Sequence, residues 1–360
     1  MKVAYHQPSL DTIYAQRTVY NGFKHAFTEL GHVFLPFTAG DKLETFLDQH
    51  QPDIFLTSSH FYYRKFLDFQ LLKKYRAKGM TLVTKIDFWN SPMAKFRINE
   101  ASSMKNDRVL LDLLQDDLLG DFFYHVVEQD DPRMSGFQET TGATFFTLPL
   151  AADATVIQPR FDKQFATQIS YVGTNLPQKK AYFDELLFPL QEMYDVRLYG
   201  QDWTATSKAL GWVQRVGQYF NLPFLRSLQK PKLQLTDESS IYTSSLISVN
   251  IHEDYQRFYG GDCNERSFKI PLAGGFEVVD DVACLARYFN VGEEIVVASD
   301  TQNWFEKIEY YVRHPKEREK IIKKGQARVR HEHTYHHRVK TLLKEIGKDN
   351  KDENKAKKNS

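Results

Sequence analysis

The stretch from residue 260 to residue 281 carries the residue types best suited to bind a phosphate group. It reads GGDCNERSFKIPLAGGFEVVDD, and the charges between its two glycine pairs include Glu265, Arg266 and Lys269. Arg266 stands before a helix-like run, where a guanidinium can grip diphosphate oxygens through two parallel hydrogen bonds. Asn264 and Glu265 would then take ribose or sugar hydroxyls. The simpler interpretation is a helix cap with a solvated ion pair.

Two other short segments place polar groups where a predicted strand ends. SYVGTNLPQKK predicts a turn at Gly173, Thr174 and Asn175 before a helix. Amides at such a turn attract a phosphate, and Lys179 would add charge, although an ordinary strand–helix turn explains the segment as well. In SVNIHED a buried strand ends just before His252, which places this histidine at the expected cleft. The alternative interpretation is a solvent-exposed loop histidine. All three segments are expected to converge on one cleft at the carboxyl ends of parallel strands.

The elements that must position these residues follow an alternation of strands and helices. Hydrophobic runs predict strands at 2–5, 32–37, 54–59, 80–87, 122–129 and 143–151, and then at 168–174, 195–200, 244–251 and 276–281. Helical spacing predicts helices at 18–30, 42–50, 66–78, 180–192, 304–312 and 315–330. This order predicts an α/β protein with two parallel sheets, each covered by helices on both faces.

The domain organisation follows from the same pattern. A polar stretch at 152–168 predicts the boundary, which gives a first domain at 1–160 and a second at 161–335, with a cleft between them. A chain of 360 residues is long for one hydrophobic core, which also favours two domains. The polar tail at 348–360 is predicted to be disordered.

The bulk composition limits the classes of function. Two cysteines without metal-ligand spacing and an N-terminus without an apolar leader indicate a reducing, cytoplasmic location. No apolar window is long enough to cross a bilayer, although peripheral contact with the inner face of a membrane stays open. The net charge of +1 gives no global attraction for nucleic acid, so no nucleic-acid partner is expected.

Several catalytic motifs are missing from the sequence. No G-x-G-x-x-G or Walker A loop is present, which argues against a dinucleotide-dependent dehydrogenase and a P-loop enzyme. No Asp-x-Asp occurs, so the metal–diphosphate clamp of one class of sugar transferases is absent. The histidine run HEHTYHHR at 331–338 misses the H-E-x-x-H zinc pattern because Tyr335 stands at its last position, and we interpret it as structural. No metal or other cofactor is expected.

From about residue 168 to residue 343 the sequence resembles the C-terminal half of the spore-maturation (CgeB-like) glycosyltransferases. The similarity is carried by VGTN, LYGQDW, SVNIH, NERSFKIPLAGGFEVVDD, LARYFNVGEEIVV and the run that ends in HTYHHRV. The first domain matches only in outline, through IDFWN and LPLAAD. The family is related to the large retaining group 1 class, so the resemblance implies the GT-B fold, with two Rossmann-like domains and a cleft between them.

The resemblance also implies an activity. The second domain would bind a nucleotide-activated sugar, expected to be UDP-linked, and the first domain would bind the acceptor, a surface polysaccharide or other glycan, a glycolipid or a protein. Basic side chains and a helix N-terminus would neutralise the diphosphate without a divalent ion, and the family analogy favours retention of configuration. The segment at 336–347 would form a helix that packs toward the first domain.

Roles for individual residues follow from the resemblance. Donor contacts fall on Gly173, Thr174, Asn175, Lys179, Tyr199, Asn264, Glu265, Arg266, Lys269 and Gly275. His252 is placed on the sugar or diphosphate side as a catalytic residue. If the reaction inverts configuration, Asp87 is the expected base and His6 its rival, although a turn or helix cap also explains Asp87. His6 and Trp89 are expected to face the acceptor.

One departure from the family pattern concerns Lys269. Members commonly carry the pattern N-x-R-x-F-E, in which the Glu is expected to bind ribose hydroxyls, whereas this chain has N-E-R-S-F-K. A lysine donates hydrogen bonds but cannot accept them as a carboxylate does. Either the ribose contact moves to another acid, such as Glu265 or Glu277, or the donor differs. The remaining alternative is a relative that binds a nucleotide sugar without turning it over.

Overall fold

The protein is described by a computed structural model over residues 1–10, 16–91, 103–220, 222–226 and 233–347. The chain forms two compact units. Unit 1 contains Met1–Asp153 and the described residues from Thr334 to Gly347, and unit 2 contains Ala154–His333. The first division falls a few residues before the boundary predicted at 160. The tail predicted to be disordered, at 348–360, lies outside the described residues.

Unit 1 alternates strands and helices. Its strands are β1 Lys2–His6, β2 Val33–Phe37, β3 Ile54–Ser58, β4 Thr81–Lys85, β5 Phe122–His125 and β6 Phe146–Thr147. Its first helices are α1 Gln16–Glu29, α2 Leu43–His50, α3 Phe61–Arg64, α4 Phe69–Arg76, α5 Arg108–Gln115 and α6 Phe137–Thr141. Short 3₁₀ turns lie at Met104–Asn106 and Pro132–Met134.

The six strands of unit 1 form one parallel sheet in the order β2-β1-β3-β4-β5-β6. Side chains alternate between its faces, so Val3 and Tyr5 join one core while Ala4 joins the other. Because β1 lies between β2 and β3, the crossovers to these strands run in opposite directions along the sheet. A crevice opens at such a reversal, at the carboxyl ends of the strands.

Unit 2 repeats this plan. Its strands are β7 Thr167–Val172, β8 Val196–Tyr199, β9 Ser245–Asn250, β10 Glu277–Asp280 and β11 Val296–Ala298. Its helices are α7 Lys180–Tyr182, α8 Leu190–Met193, α9 Ala205–Tyr219, α10 Pro223–Arg226, α11 Leu235–Ser244, α12 Asp254–Tyr259, α13 Arg266–Leu272, α14 Leu285–Tyr288, α15 Thr301–Arg313 and α16 Pro315–Glu332. Lys163–Phe165 and Pro177–Lys179 are 3₁₀ turns, and Phe183–Leu187 is a π-helical turn.

The sheet of unit 2 is also parallel, in the order β11-β10-β9-β7-β8. From β7 the chain first adds β8 on one side of it and then adds β9 on its other side. The strand order therefore reverses between β7 and β9. The core around this sheet includes Tyr171, Phe183, Val249 and Trp304. The crevice expected from the topology therefore lies beyond the ends of β7 and β9.

The predicted strands are confirmed in type and order, since all ten correspond to β1–β10. β11 was not predicted as a strand, because its three residues are too short for a periodic signal. Helices α9 and α10 were also missed, because the glycines and exposed aromatic residues of this region obscure the usual apolar stripe. None of the described helices is long and apolar enough to span a membrane.

The last helix of the described residues, α17 Tyr335–Glu345, belongs to unit 1. The Tyr335 amide donates to the Ala152 carbonyl at 3.0 Å, and the Tyr335 ring lies 5.3 Å from the Phe23 ring of α1. Gly22 of α1 permits this approach, because a Cβ at position 22 would lie 2.0 Å from Cδ2 of Tyr335. The packing of α17 therefore depends on a residue without a side chain.

We predict that Gly22→Ala destabilises unit 1 by about 2 kcal/mol, because overpacking outweighs the gain in helix propensity. Urea unfolding followed by circular dichroism measures the change. Gly40→Ala is the matched control, since the nearest atom to its added Cβ lies 3.8 Å away and little change is expected. A fully stable Gly22→Ala protein would contradict this packing of α17 on α1.

Candidate functional site

The crevice at the ends of β7 and β9 in unit 2 is occupied by the side chain of Arg266. Its Nη1 donates to the Val172 carbonyl at 2.8 Å, and its Nη2 donates to the Ile251 carbonyl at 3.1 Å. Its Nε donates to Oδ1 of Asn250 at 2.9 Å. A guanidinium has five N–H groups, so two remain for a ligand after these three contacts. The protein thus fixes the orientation of Arg266 while leaving part of its fork unused.

Gly173 makes this position of Arg266 possible. A Cβ at residue 173 would lie 2.5 Å from Nη1 of Arg266, which is closer than real Cβ contacts allow. The amides predicted to bind phosphate are engaged elsewhere, however. Gly173 N donates to the Tyr199 carbonyl and Asn175 N to the Gln201 carbonyl, both at 2.9 Å. In this conformation the turn contributes space for Arg266 rather than these two amides for a phosphate.

Lys179 provides a second cation beside Arg266. Its buried Nζ donates to the Ile251 carbonyl at 2.6 Å, the same oxygen that accepts from Arg266. Burial, together with the Arg266 charge, lowers the pKa of the Lys179 ammonium to about 7. Two cationic groups converging on one carbonyl at a strand end form a ready site for an anion.

A buried amide joins Arg266 to the surrounding elements. Asn250 uses all four of its hydrogen-bonding positions: Oδ1 accepts from Arg266 and Asn264, and Nδ2 donates to Ser267 and Glu277. Asn264 also accepts from the Arg266 amide at 3.0 Å and so orders the start of α13. Burial raises the pKa of Glu277 to about 8, so this acid is mostly protonated at neutral pH. Glu277 therefore supports the network and offers no carboxylate charge.

Lys269 is buried and pairs with acids of its own unit. Its Nζ lies 2.5 Å from Oε2 of Glu238, on α11, and 3.6 Å from Oε1 of Glu265. Glu238 is also buried, at 7% exposure. The lysine that departs from the family pattern is thus neutralised inside the fold. Glu238 could not be identified from the sequence, because the pairing residues are 31 positions apart and only the packing of α11 against α13 brings them together.

Glu265 is the acid of this cluster that a ligand reaches most easily. It is half-buried, and its side chain is 18% exposed, against 9% for Glu238. Although burial alone would raise it, the pKa of Glu265 is lowered because the Lys269 and Arg266 charges stabilise the carboxylate. An ionised Glu265 next to Arg266 can accept hydrogen bonds from hydroxyl groups.

His252 is held in a buried ion-pair network just beyond β9. Its Nδ1 lies 2.6 Å from Oδ1 of Asp280, and its amide donates to the same carboxylate. Burial alone would raise the pKa of Asp280, but the contacts with His252 and with Arg257, whose Nη1 lies 3.1 Å away, lower it. The carboxylate fixes the proton on Nδ1. Nε2 is buried and has no hydrogen-bond partner among the described residues, so it is left for a ligand.

Two of the predicted donor residues do not join this cluster through their side chains. Tyr199 is half-buried, and its ring packs edge-on against Phe165 at 5.9 Å. Gly275 precedes β10, at the amino end of the strand, and a Cβ there would lie 2.8 Å from the Tyr242 carbonyl. Gly275 thus allows close backbone packing, whereas the carboxyl ends of the strands hold Arg266. Thr174 accepts from the Leu176 amide through its carbonyl.

The corresponding crevice of unit 1 contains His6. Its Nδ1 lies 2.9 Å from Oγ1 of Thr57, at the end of β3, and the rings of Phe37 and Tyr63 surround it at 5.0 and 5.2 Å. Burial lowers the pKa of His6 to about 3, so its ring is neutral at physiological pH. Its Nε2 is buried and has no partner among the residues that the structure describes. A neutral imidazole with an unused nitrogen can accept or donate one hydrogen bond.

Asp87 follows β4 on the same carboxyl edge. Its amide donates to Oγ of Ser59 at 2.8 Å. Burial raises the pKa of Asp87, and nearby His60 and other polar groups offset only part of this effect. A carboxylate with a raised pKa suits a general base. Trp89, in contrast, is 5% exposed and packs in the core against Phe137, so its indole does not line an open surface.

The histidine run at 331–338 is distributed over separate structural contacts. His333 Nε2 lies 3.0 Å from the Tyr288 carbonyl, His336 pairs with Glu29, and His337 caps α17 together with Thr334. Within the described ranges, no group of three His, Cys, Asp or Glu residues is arranged to hold a metal ion.

Comparison with known proteins relates part of the sequence to a family. Residues 180–344 match a family model described as glycosyl transferase-like. This model does not distinguish the spore-maturation subtype, which stays a prediction. No curated protein matches the chain significantly in sequence.

The fold is similar to several solved glycosyltransferase structures. Sucrose-phosphate synthase from Thermosynechococcus elongatus aligns over 96% of this chain and 98% of its own, with 11% identity and a TM-score of 0.61. HepE from Anabaena, in complex with UDP and glucose, aligns over 96% and 99%, with 11% identity and a TM-score of 0.58. An alpha-glucosyltransferase in complex with UDP and a 13-mer DNA aligns over 96% and 98%, with 10% identity and a TM-score of 0.62. These matches confirm the GT-B fold, with its two Rossmann-like domains.

We predict that Lys269→Met lowers the free energy of unfolding by about 3–5 kcal/mol, because Glu238 would stay buried without its main partner. The double variant Lys269→Met/Glu238→Gln should regain at least half of this loss, since it removes both charges. Lys269→Glu, which restores the family pattern, should destabilise at least as strongly as Lys269→Met because it places a second carboxylate beside Glu238. Chemical unfolding of the unmodified chain, Lys269→Met, Glu238→Gln and the double variant measures the coupling.

The matched control is Lys180→Met, which breaks an exposed ion pair with Asp184 and should change stability by less than about 1 kcal/mol. Additive losses for Lys269 and Glu238 would show that the two side chains do not interact.

Proposed function

We propose that this protein is a glycosyltransferase that moves a sugar from a nucleotide-sugar donor to an acceptor hydroxyl. The observation that carries the proposal is the convergence of Arg266 and Lys179 on the Ile251 carbonyl, in the crevice of unit 2. The family match over residues 180–344 covers most of this site, and two structures of similar fold hold UDP. The donor is proposed to be a UDP-sugar.

In the proposed reaction, the bond between the sugar and the diphosphate breaks and negative charge develops on the leaving group. Arg266 would offer its two unused N–H groups to the diphosphate oxygens, and Lys179 would add a second positive charge. Both cations are oriented by carbonyls at strand ends before the donor arrives. Such preorganised charge lowers the barrier without a metal ion, and we propose a metal-independent reaction.

Glu265 and His252 have complementary proposed roles. Glu265 would accept the ribose hydroxyls in place of the acid that Lys269 replaces, because it is ionised and more exposed than Glu238. His252 would direct its unused Nε2 toward the sugar, with Asp280 holding the ring in position. We propose His252 as a catalytic residue for this reason.

The acceptor side is proposed from unit 1 alone. Asp87 would act as the base if the reaction inverts configuration, since its pKa is raised and it follows a strand at the carboxyl edge. His6 is neutral and therefore suits hydrogen bonding to an acceptor hydroxyl. The family analogy favours retention, in which no protein base is required. We propose a glycan, glycolipid or protein acceptor, although a similar fold also occurs in a complex with DNA.

We predict that Arg266→Ala weakens binding of UDP-glucose about 100-fold, because two charge-assisted hydrogen bonds are lost. Isothermal titration calorimetry measures the affinity. Arg266→Lys keeps the positive charge but loses the two parallel hydrogen bonds of the guanidinium, so it should weaken binding about tenfold. This variant measures the contribution of the guanidinium geometry while a cation stays in place. Arg313→Ala, on an exposed ion pair with Glu309, is the control and should bind normally.

A hydrolysis assay with UDP, GDP, ADP, CDP and dTDP sugars tests turnover in the same preparation. Hydrolysis or transfer from one of them supports the enzyme. Binding without turnover across the whole set, with acceptor glycans present, would favour the alternative of a non-catalytic nucleotide-sugar-binding protein. Unchanged affinity in Arg266→Ala would refute the placement of the diphosphate.

We also predict that affinity for UDP-glucose falls as pH rises above 7. In the free protein Lys179 has a pKa of about 7, and a bound diphosphate would raise it, so the complex holds more protons than the free protein above this pH. Affinity should decrease by up to tenfold per pH unit between pH 7 and the higher pKa of the complex. The diphosphate of UDP-glucose has no group that titrates near neutrality, so the change reports on the protein.

Calorimetry at pH 6, 7, 8 and 9 in buffers of different ionisation enthalpy measures both affinity and proton uptake. Lys179→Met should bind more weakly at pH 6 and should lose the pH dependence. An equally steep decline in Lys179→Met would show that another group is responsible.

A further inference from the structure

Helix α9 of unit 2 has its small residues inside and its large residues outside. Its buried positions include Ser207, Gly211 and Gly217. Trp212 and Tyr219, in contrast, are 65% and 79% exposed. A helix that serves only to cover a sheet has the opposite arrangement, with its bulky apolar residues facing the core. The outward face of α9 therefore carries large apolar side chains that unit 2 leaves exposed.

The exposed face continues into the next helix. Phe220 is 63% exposed and Phe224, on α10, is 65% exposed. Gly217 lets α9 and α10 approach closely, because a Cβ there would lie 2.8 Å from Cβ of Leu225. We call Trp212, Tyr219, Phe220 and Phe224 the aromatic surface. Large exposed apolar groups gathered on two successive helices are typical of an interaction site.

The charge of this region is as uneven as its hydrophobicity. Between Asp202 and Asp237 the sequence contains no acidic residue and five basic ones, Lys208, Arg215, Arg226, Lys230 and Lys232. Because the whole chain has a net charge of only +1, the rest of the chain is net acidic. Lys208 is exposed and lies one helical turn before Trp212, so charge and ring share a face. The partner of this face should combine negative charge with an apolar interior.

We infer that the aromatic surface and the exposed Lys208 dock unit 2 onto a bilayer that contains anionic lipid. Trp and Tyr side chains favour the boundary between headgroups and acyl chains, while Phe side chains enter more deeply. Basic residues add attraction to anionic headgroups. The rings are 63–79% exposed, so they project from the helices, whereas rings that stack on nucleic-acid bases usually line a groove. This inference concerns a surface outside the proposed donor site and does not require the proposed activity.

Vesicle co-sedimentation of the full chain tests the inference. With vesicles of 70% phosphatidylcholine and 30% phosphatidylglycerol, the protein should sediment, and with pure phosphatidylcholine its partition coefficient should fall at least tenfold. Trp212→Ala should lower binding to the mixed vesicles about tenfold, because a large ring no longer inserts. Lys208→Gln should lower it about fivefold, which corresponds to the loss of one basic contact.

Matched variants separate this surface from general hydrophobicity and charge. Phe161→Ala removes a ring that is 69% exposed elsewhere in unit 2, and Lys323→Gln removes an exposed charge on α16. Both should bind mixed vesicles as the unmodified chain does. Tryptophan emission gives a second measurement. It should shift to shorter wavelength on mixed vesicles because Trp212 is far more exposed than Trp89 and Trp304, and Trp212→Phe should lose the shift.

The other occupants of this surface are distinguished by the same proteins. Absence of binding to mixed vesicles at low ionic strength would overturn the inference. Binding of a labelled DNA duplex or single strand that weakens in Trp212→Ala, without vesicle binding, would assign the surface to nucleic acid instead. A mass by light scattering that doubles with concentration in the unmodified chain but not in Trp212→Ala, again without vesicle binding, would assign it to a second copy.

Discussion

The contact of Arg266 with the ends of β7 and β9 is the interaction around which the site of unit 2 is built. Strand ends leave backbone carbonyls that need donors, and one guanidinium supplies donors to Val172 and Ile251 together. Every neighbouring feature follows from this arrangement. Gly173 has no side chain and so leaves room for Arg266, and Asn264 orders the chain just before Arg266. The Asn250 amide accepts from Nε through its oxygen while it donates through its nitrogen.

Some charged groups around Arg266 are neutralised inside the fold, whereas others stay able to bind a ligand. Lys269 forms an ion pair with Glu238, and Glu277 is mostly neutral at physiological pH. Lys179 and Arg266 remain as cations, with Glu265 as the more exposed acid beside them. A site with two oriented cations and one half-buried, ionised acid is suited to a diphosphate next to a sugar or ribose. Lys at position 269 is therefore compatible with a working donor site, because Glu238 compensates the charge of Lys269.

Unit 1 uses the same topology for different chemistry. His6 lies in its crevice as a neutral, ring-lined imidazole, and Asp87 lies on the same edge with a raised pKa. Unit 2 instead places permanent positive charge in its crevice. Outside both crevices, α9 carries the aromatic surface, whose exposure sets it apart from helices that serve only to cover a sheet. The fold thus places charged groups, neutral hydrogen-bonding groups and exposed aromatic rings in different regions.

The sequence alone predicted the succession of strands and helices along the chain and a fold with two parallel sheets. These predictions follow from local patterns: hydrophobic periodicity predicted β1–β10, and Arg266, Lys179 and His252 were selected as candidate site residues because each stands just beyond a strand or before a helix. Asp87 was likewise identified from its place after β4. Such features depend on residues that are close in the chain.

Only the tertiary structure decided which neighbours these residues have. Glu238 pairs with Lys269 across 31 positions, and Trp89 packs inward rather than facing an open surface. The amides of Gly173 and Asn175 donate to the carbonyls of Tyr199, at the end of β8, and Gln201, just after it, and Gly275 lies at the opposite end of its strand from Arg266. Contacts between distant segments depend on how helices pack on the sheet, and hydrophobic spacing along one segment contains no information about the partner that packs against it.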